Sequence, residues 1–488
     1  MSSISFTQIP STLRVPGQYF EINNNQGGSA GGAVYKRILV IGQMLSTGTV
    51  AANTPTLIQS VLQVAGLTGF GSHLHNVVAA LKAANNFTEA WFIAMPDNSA
   101  GTAATKTITI TGPATGAGTL ALYIEGVGIQ TGVNSGDAAT AIATNVAAAI
   151  NANKMLPWTA TATGAVVTIT CKHKGVWGTS SDCRINYYQG DVLPLGVGVT
   201  IAAGTAGTAN PDITPVIAAM GDQIFSHIVM PYTDSANYTV LAAELERRWS
   251  ATVMKESVAF LAIGGSLSTV STWGTTHNEK LCCAMNAGLS PSPTYAWAAA
   301  VCGVDAFEPI PNRPRQTLSL PGILAPAAGD EMTLAENNIL LFDGVATHMV
   351  DAAGNVMIQR LVTNYQLNQW GVPDDSYLDI ESIELLITLR FERRSRIAQR
   401  FPRCRLASNS SRIAPGSDVI TPHDIQNDAF AQALEWIEAG YIADDMPAFK
   451  AGYLCEIDAN DNSRVNELIP PELIGGLRVF AGLIQFSD

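Results

Sequence analysis

The amino-acid sequence predicts a multidomain chain of mixed α/β and α+β class: a discontinuous α/β core domain, a β-rich domain inserted into it, an α+β C-terminal domain, and extended N- and C-terminal arms. Three observations carry this. Apolar strand-like runs alternate with amphipathic helical patterns over 35–101 and again over 208–307, which is the grammar of a largely parallel sheet covered on both faces. Between them, 102–207 changes to short Thr- and Val-rich runs. The last residues, 477–486, are apolar or small except for Arg478 and Gln485.

In chain order, residues 1–34 read as an arm and a link. "SFTQIPSTLRVPGQYFEI" has two prolines and scattered apolar anchors (Ile4, Phe6, Ile9, Val15, Tyr19, Phe20, Ile22), and a Gly/Asn/Ser-rich stretch follows. "KRILVIGQM" is a buried strand, "PTLIQSVLQVAG" and "GSHLHNVVAALKAANN" are helical, and "EAWFIAMP" is a second strand. The insert contributes the strands "TKTITITG", "GTLALYIEG", "AVVTITCKHKG" and "SDCRINYY", and one Ala-rich helix, "GDAATAIATNVAAAINA". An insertion at an exposed loop leaves the parent core intact, because only two chain ends must meet.

The core then resumes. Helical "DITPVIAAMGD" precedes the strand "QIFSHIVMPY", the helix "SANYTVLAAELERRWS" and the strand "SVAFLAIGG". A helical piece over 267–275, the strand "LCCAMNAG" and the helix "TYAWAAAVCGVDA" complete it. The C-terminal domain, 308–469, opens with the Pro-rich crossing "EPIPNRPRQTLSLPGILAP". After it come a helix "LAENNILLFDG", two strands joined by an "AAGN" turn, a long helix over 376–400, a helix "PHDIQNDAFAQALEWIEAG" and a strand "GYLCEIDAND". The arm 470–488 follows. Pro470 and Pro471 block internal pairing at its start, and Gly475 and Gly476 supply a hinge.

Composition bounds the function. At 488 residues the chain exceeds one core, and roughly two to four domains are expected. Charged residues make up 14% and the formal net charge is −13, which argues against general nucleic-acid binding. The N-terminus lacks the pattern of a secretory signal, and no run of about twenty apolar residues offers a membrane span. A soluble, cytoplasmic protein is the expectation. The seven cysteines show no CxxC and are expected reduced and mostly buried, with a Cys171–Cys183 pair as the minor alternative.

Chemistry is largely missing. Neither GxxxxGK[ST] nor a GxGxxG after a strand occurs, and the glycines of "VIGQMLSTG" and "AIGGSLS" (Gly42, Gly264) read first as tight turns. A nucleotide-binding α/β enzyme with its ligand near Gly42 or Gly264 is the alternative reading. HExxH and kinase motifs are absent too. His73 and His75, two apart on a helix, face different sides and read as capping or surface residues. Asp374, Asp375, Asp379, Glu381 and Glu384 gather at the positive end of the long helix. No catalytic, cofactor-binding or metal residue is assigned, and no cofactor is expected.

The same helix ends in "LRFERRSRIAQRFPRCR", with Arg390, Arg393, Arg394, Arg396, Arg400, Arg403 and Arg405. Arginines complement a helix C-terminus, yet seven exceed what one dipole needs. The functional reading is a basic stripe aimed at an acidic partner.

"ISFTQIPSTLRVPGQYFEI", "RILVIGQM", "GFGSHLHNVVAALKAANN" and "EAWFIAMPD", in this order, resemble the contractile tail sheath proteins of Mu-like bacteriophages. "LPGILAP", "GVATHMVDAAGNVMIQR" and "YLDIESIELLITLRFERRSR" are similar to the C-terminal domain of that family, and the insert to its outward-facing domain. The resemblance implies a non-enzymatic subunit of the virion, assembled in the host cytoplasm. Copies stack as six-fold rings around a tail tube, and the sheath shortens to drive the tube through the host envelope. It implies as partners further copies of the chain, the tube protein, and baseplate and tail terminator proteins, with no nucleic acid and no membrane insertion. It also implies that both arms add strands to neighbouring subunits. The arm contacts would be Ile4, Phe6, Val15, Tyr19, Phe20 and Ile22 at one end, and Leu477, Val479, Phe480, Leu483, Ile484 and Phe486 at the other. Arg390, Arg393, Arg394, Arg396 and Arg400 are the expected tube-facing residues.

Overall fold

Residues 15–21, 36–414 and 417–486 are described by a computed structural model. At its centre lies β1 (Arg37–Gln43), buried from its second residue onward. A strand covered on both faces has no solvent side, so its sequence is a continuous apolar run and not an alternation. After the short β2 (Thr56–Leu57), helices α1 (Val61–Thr68) and α2 (His73–Ala84) begin at Ser60 and Ser72, whose hydroxyls accept from the amides of Gln63 and His75. On α2, Leu74, Val77, Val78 and Leu81 follow the i, i+3, i+4, i+7 spacing and are fully buried. Gly42 is required by this contact: a Cβ there would sit 3.0 Å from the Cα of Leu74. β3 (Glu89–Met95) then pairs parallel with β1, Val40 opposite Phe92.

The chain leaves this sheet at Thr102 and returns at Thr208, where the two residues form a bridge and share a hydroxyl contact of 2.9 Å. Between them run β4 (Ala103–Thr111), β5 (Gly118–Ile124), β6 (Val127–Val133), α3 (Ala139–Ala152), β7 (Trp158–Thr163), β8 (Val166–Lys174), α4 (Trp177–Ser180), β9 (Cys183–Ile185) and β10 (Gly198–Ala203). They form two antiparallel sheets, β10-β4-β8-β7 and β6-β5-β9. α3 buries Ile142, Ala143, Val146, Ala147 and Ile150 against them. β8 alternates strictly, so Val167, Ile169, Cys171 and His173 point inward. Cys171 and Cys183 are free thiols.

The core continues with α5 (Thr214–Met220), β11 (His227–Val229), α6 (Ser235–Trp249), β12 (Val258–Gly264), α7 (Leu267–Gly274), β13 (Cys282–Gly288) and α8 (Thr294–Phe307). The sheet order is β13-β12-β11-β1-β3-β2, and only β2 is antiparallel to its neighbour. The expected ten-residue strand over 223–232 is three residues long. At its start the Ser226 hydroxyl bonds the backbone N–H and C=O of Arg37 in place of a main-chain partner, and Pro231 follows its end.

In the last third, α9 (Leu334–Phe342) starts from a Thr333–Glu336 capping box, and β14 (Thr347–Val350) and β15 (Val356–Arg360) form a hairpin. The long helix, α10 (Ile380–Arg400), starts four residues later than expected because Asp374 caps a turn at Ser376 and Asp379 bridges Val362. β16 (Arg405–Leu406), β17 (Val419–Ile420), α11 (Pro422–Glu438), α12 (Met446–Gly452), β18 (Leu454–Ile457) and β19 (Val465–Leu468) complete the chain. The hydrophobic cores divide inside α10 and not at residue 308. Ile380 and Ile383 join the large core that reaches back to β1, whereas Leu385 and Leu389 join a smaller one with Ala433, Trp436, Phe449 and Tyr453.

The insert is docked on the core by a buried polar joint. Trp177 donates its indole N–H to Gln43 Oε1 at 2.9 Å and stacks on His73 at 4.6 Å. Gln43 Nε2 donates to Lys174 O at 2.7 Å and to Asp97 at 2.8 Å, and His173 pairs with Asp97 at 2.7 Å. Glu125, buried in the insert, accepts from Tyr295 OH of α8 at 2.6 Å. Replacing Trp177 by Ala removes a buried ring and leaves Gln43 short of a partner. We expect a loss of about 3–5 kcal/mol in denaturant-melt stability, with the far-UV circular dichroism of the folded baseline unchanged.

Candidate functional site

The carboxyl ends of the parallel strands are where an open α/β sheet would take a ligand, at the switch point between β1 and β11. That crevice is filled by the joint just described. Gln43 at the end of β1 is fully buried beneath Trp177, and Tyr232, beyond β11, also donates to it at 3.3 Å. Gly42 serves helix packing. Beside Gly264 lies a cavity of about 300 Å³, lined by Trp177, Asp182, Arg184, Ser292, Tyr295 and Asp330. Arg184 there is already paired with Asp182 at 2.7 Å.

His73 and His75 are not surface residues. Both are buried, because Phe70 and the residues of the joint close over the start of α2. Burial lowers both pKa values, and His173 beside His73 pushes in the same direction. The surface expectation is overturned because His173 and Trp177 of the insert cover the start of α2.

A second cluster lies at the opposite, amino ends of the strands, where His227, Asp305 and Glu384 converge. His227 Nε2 is 3.1 Å from Asp305 Oδ2 and 3.1 Å from Glu384 Oε1. Arg315, fully buried, pairs with Asp305 at 2.7 Å and also with Glu384, and Lys36 reaches Glu384 at 3.0 Å. Their ligand atoms lie within 4.8 Å of one another, as a metal site would need. Two side-chain cations already occupy the charge, so the cluster is an ion-pair hub. It joins β11, α8, α10 and the Pro-rich crossing. Sequence reasoning missed it, since its members are far apart in the chain.

The basic stripe is divided by the fold. Arg390 is buried, bonding Trp249 O and Glu256 at 2.8 Å while lying over the Trp249 ring at 4.9 Å. Arg393 is buried between Asp428 at 2.9 Å and Glu467. Both are withdrawn from any partner surface, which corrects the stripe at these two positions. Arg396 pairs with Asp428 and Glu435 at 3.0 and 2.6 Å, and Arg400, 56% exposed, also reaches Asp428 at 2.8 Å. Arg394 lies half-exposed over the Phe391 ring at 6.0 Å. The signal was present: Asp428, Gln432 and Glu435 on α11 repeat the one-turn spacing of Arg393, Arg396 and Arg400 on α10.

The C-terminal segment is stitched to the body as far as Arg478. Leu473 bridges Ile442, Ile474 N–H donates to Tyr441 O at 3.0 Å, and Gln316 Nε2 donates to Leu477 O at 3.1 Å. Gly476 is not a hinge, because a Cβ there would meet Pro314 Cγ at 2.1 Å; the glycine serves close approach. Arg478 pairs with Glu381 at 2.9 Å and Asp379 at 3.3 Å. Beyond it contact ends. Val479, Phe480, Leu483, Ile484 and Phe486 are 81–91% exposed, and no strand forms there. At the other end, Val15 is exposed and Tyr19 and Phe20 are half-buried, while Ile4, Phe6 and Ile22 lie outside the described residues.

Comparison with known proteins agrees in kind. The phage tail sheath protein central domain family matches residues 206–364. The Mu-like prophage FluMu tail sheath protein of Haemophilus influenzae is 36% identical over 486 residues, covering 99% of each chain. Among solved structures, the sheath tail protein of Desulfitobacterium hafniense has a TM-score of 0.47 at 12% identity, over 91% of this chain and 93% of that one. The helical sheath of the anti-feeding prophage in its contracted state has a TM-score of 0.47 at 9% identity, over 98% and 100%.

The hub's pH response follows from its geometry. Burial pulls the His227 pKa down, but hydrogen bonds to Asp305 and Glu384 outweigh it and raise it above 6.5. Burial pushes both carboxyls up, yet Arg315, Lys36 and His227 hold Asp305 and Glu384 below their ordinary 3.8 and 4.5. The raised histidine contributes stability that is complete below 6.5 and lost as pH rises through its folded value. The lowered carboxyls contribute above their ordinary values and lose it as pH falls through the folded ones. Denaturant melts are therefore expected to show a loss as pH rises above 6.5. That loss is absent in His227→Gln while the acid limb remains; an unchanged alkaline limb in the variant would refute the assignment.

Proposed function

The chain belongs to the phage tail sheath protein family and is a structural sheath subunit, and from that premise we propose that it builds a contractile sheath. Copies stack as six-fold rings around a tail tube between baseplate and terminator. The sheath shortens to drive the tube through the host envelope, and the particle is a virion tail assembled in the host cytoplasm. No helix among the described residues is long and apolar enough to cross a membrane, so penetration falls to the tube.

One observation carries this reading: after Arg478 the apolar side chains stand exposed one after another along a single segment. Five large side chains there each forgo about 1.5–3 kcal/mol while in water. Their backbone donors and acceptors are unpaired as well, and addition to the sheet edge of another copy satisfies both. An extended covalent link lets rigid bodies turn past one another without parting. Contraction without fuel then needs only an extended form trapped above a contracted one that buries more surface.

Deleting 479–488 leaves every contact of the stitched root in place. The shortened chain is expected to keep its melting behaviour and to stay monomeric in sedimentation, whereas the full chain forms hollow striated tubes in electron microscopy. Striated tubes from the shortened chain would refute strand exchange at this end. Of the five arginines expected to face the tube, the two left for that contact are Arg394 and Arg400. Charge reversal at both is expected to weaken co-sedimentation with the tail tube protein about tenfold or more without loss of folding, and unchanged co-assembly would remove this face from the account.

A further inference from the structure

The two terminal segments are rooted on the same turn of one helix. Lys36 is the first described residue after the N-terminal link, and Arg478 is the last residue of the C-terminal segment with a side-chain anchor. Lys36 Nζ donates to both carboxylate oxygens of Glu384, at 3.0 and 3.2 Å, and to the carbonyls of Glu308 and Asp305 at the end of α8, at 3.0 and 3.3 Å. Arg478 Nη2 donates to Glu381 Oε2 at 2.9 Å. Glu381 and Glu384 stand three residues apart on α10, on one face. Arg315 connects them: its backbone N–H donates to Glu381 Oε1 at 2.9 Å and its guanidinium pairs with Glu384. The relay Lys36–Glu384–Arg315–Glu381–Arg478 is continuous.

We infer that the first turn of α10 is a shared anchor for both terminal segments, and that Lys36 and Arg478 are positioning residues coupling one root to the other. The inference rests on the proposal that the termini are exchanged, and it specifies the regulation of that exchange. A pull on one arm reaches the other through five side chains at the amino ends of the central strands, without crossing the α/β sheet. Both roots are well covered: the Lys36 and Arg478 side chains are 20% and 15% exposed, and Glu381 and Glu384 are 4% and 7% exposed. An arm anchored this way transmits displacement, where an arm on a loose hinge would absorb it.

The test uses the purified full-length chain before assembly, so it does not depend on exchange. In Lys36→Gln, hydrogen exchange at the Ile474 amide, which donates to Tyr441 O, is expected to rise about tenfold, although Lys36 does not touch it. In Arg478→Gln, acylation of the Lys36 amine is expected to rise several-fold. Arg184→Gln, which breaks the remote Arg184–Asp182 pair of the insert, leaves both readings at the parent level. Exchange in β12 and β13 reports any general unfolding. If either root is unaffected by loss of the other, or if Arg184→Gln gives the same changes, the shared anchor is overturned. Polymerisation of the chain lacking 479–488 would instead overturn the exchange of termini and leave the coupling standing.

Discussion

Five charged or titratable side chains at the amino ends of the central strands tie this molecule together: Arg315, Asp305, Glu384, His227 and Lys36. Arg315 and Asp305 are fully buried and pair at 2.7 Å. Ions so far from water are tolerable only when every partner is present, so the arrangement is close to all-or-none. Its members come from β11, α8, α10, the Pro-rich crossing and the residue before β1. These elements are thereby set in one relative position. The hub also explains why the large hydrophobic core runs on into the first turn of α10, where a domain boundary between α8 and α10 would have left charges stranded.

The carboxyl ends of the strands show how a fold suited to ligands is turned to structure. A switch point between β1 and β11 leaves a crevice in an open sheet. Here Trp177, His173 and Gln43 fill it with hydrogen bonds and stacked rings. The insert is thereby docked on the core through side chains of both.

The C-terminal segment divides sharply. Residues 472–478 are bonded to the body at several points, and over 479–486 the apolar side chains stand in water. The boundary is set by Arg478 and the close packing of Gly476 on Pro314. The α10–α11 arginines divide in the same way. Arg390 and Arg393 lock the smaller core to its surroundings, leaving Arg394 and Arg400 on the outside.

Much of the fold was legible in the sequence. The central strands and α2, α3, α6, α8 and α11 follow from periodicity and caps, because these are local properties of consecutive residues. Strands β2, β6, β7, β10, β16, β17 and β19, and helices α4 and α12, were not read, since most are brief and the rest, such as β6 and β7, are Gly- or Thr-rich runs that hold together only through their neighbours. Of the candidate site, the apolar end of the chain was visible as composition, and the resemblance to tail sheaths as residue order. The burial of His73 and His75, the pairing of Arg390 and Arg393, the packing role of Gly476 and the hub were not visible. Each depends on groups scores or hundreds of residues away, or on another element packed against it. Sequence by itself determined the alternation of strands and helices, the insertion and the apolar terminus, all written in neighbouring residues. Only tertiary structure decided which charges are spent inside and which remain for a partner, because desolvation and pairing are properties of an environment that no segment carries alone.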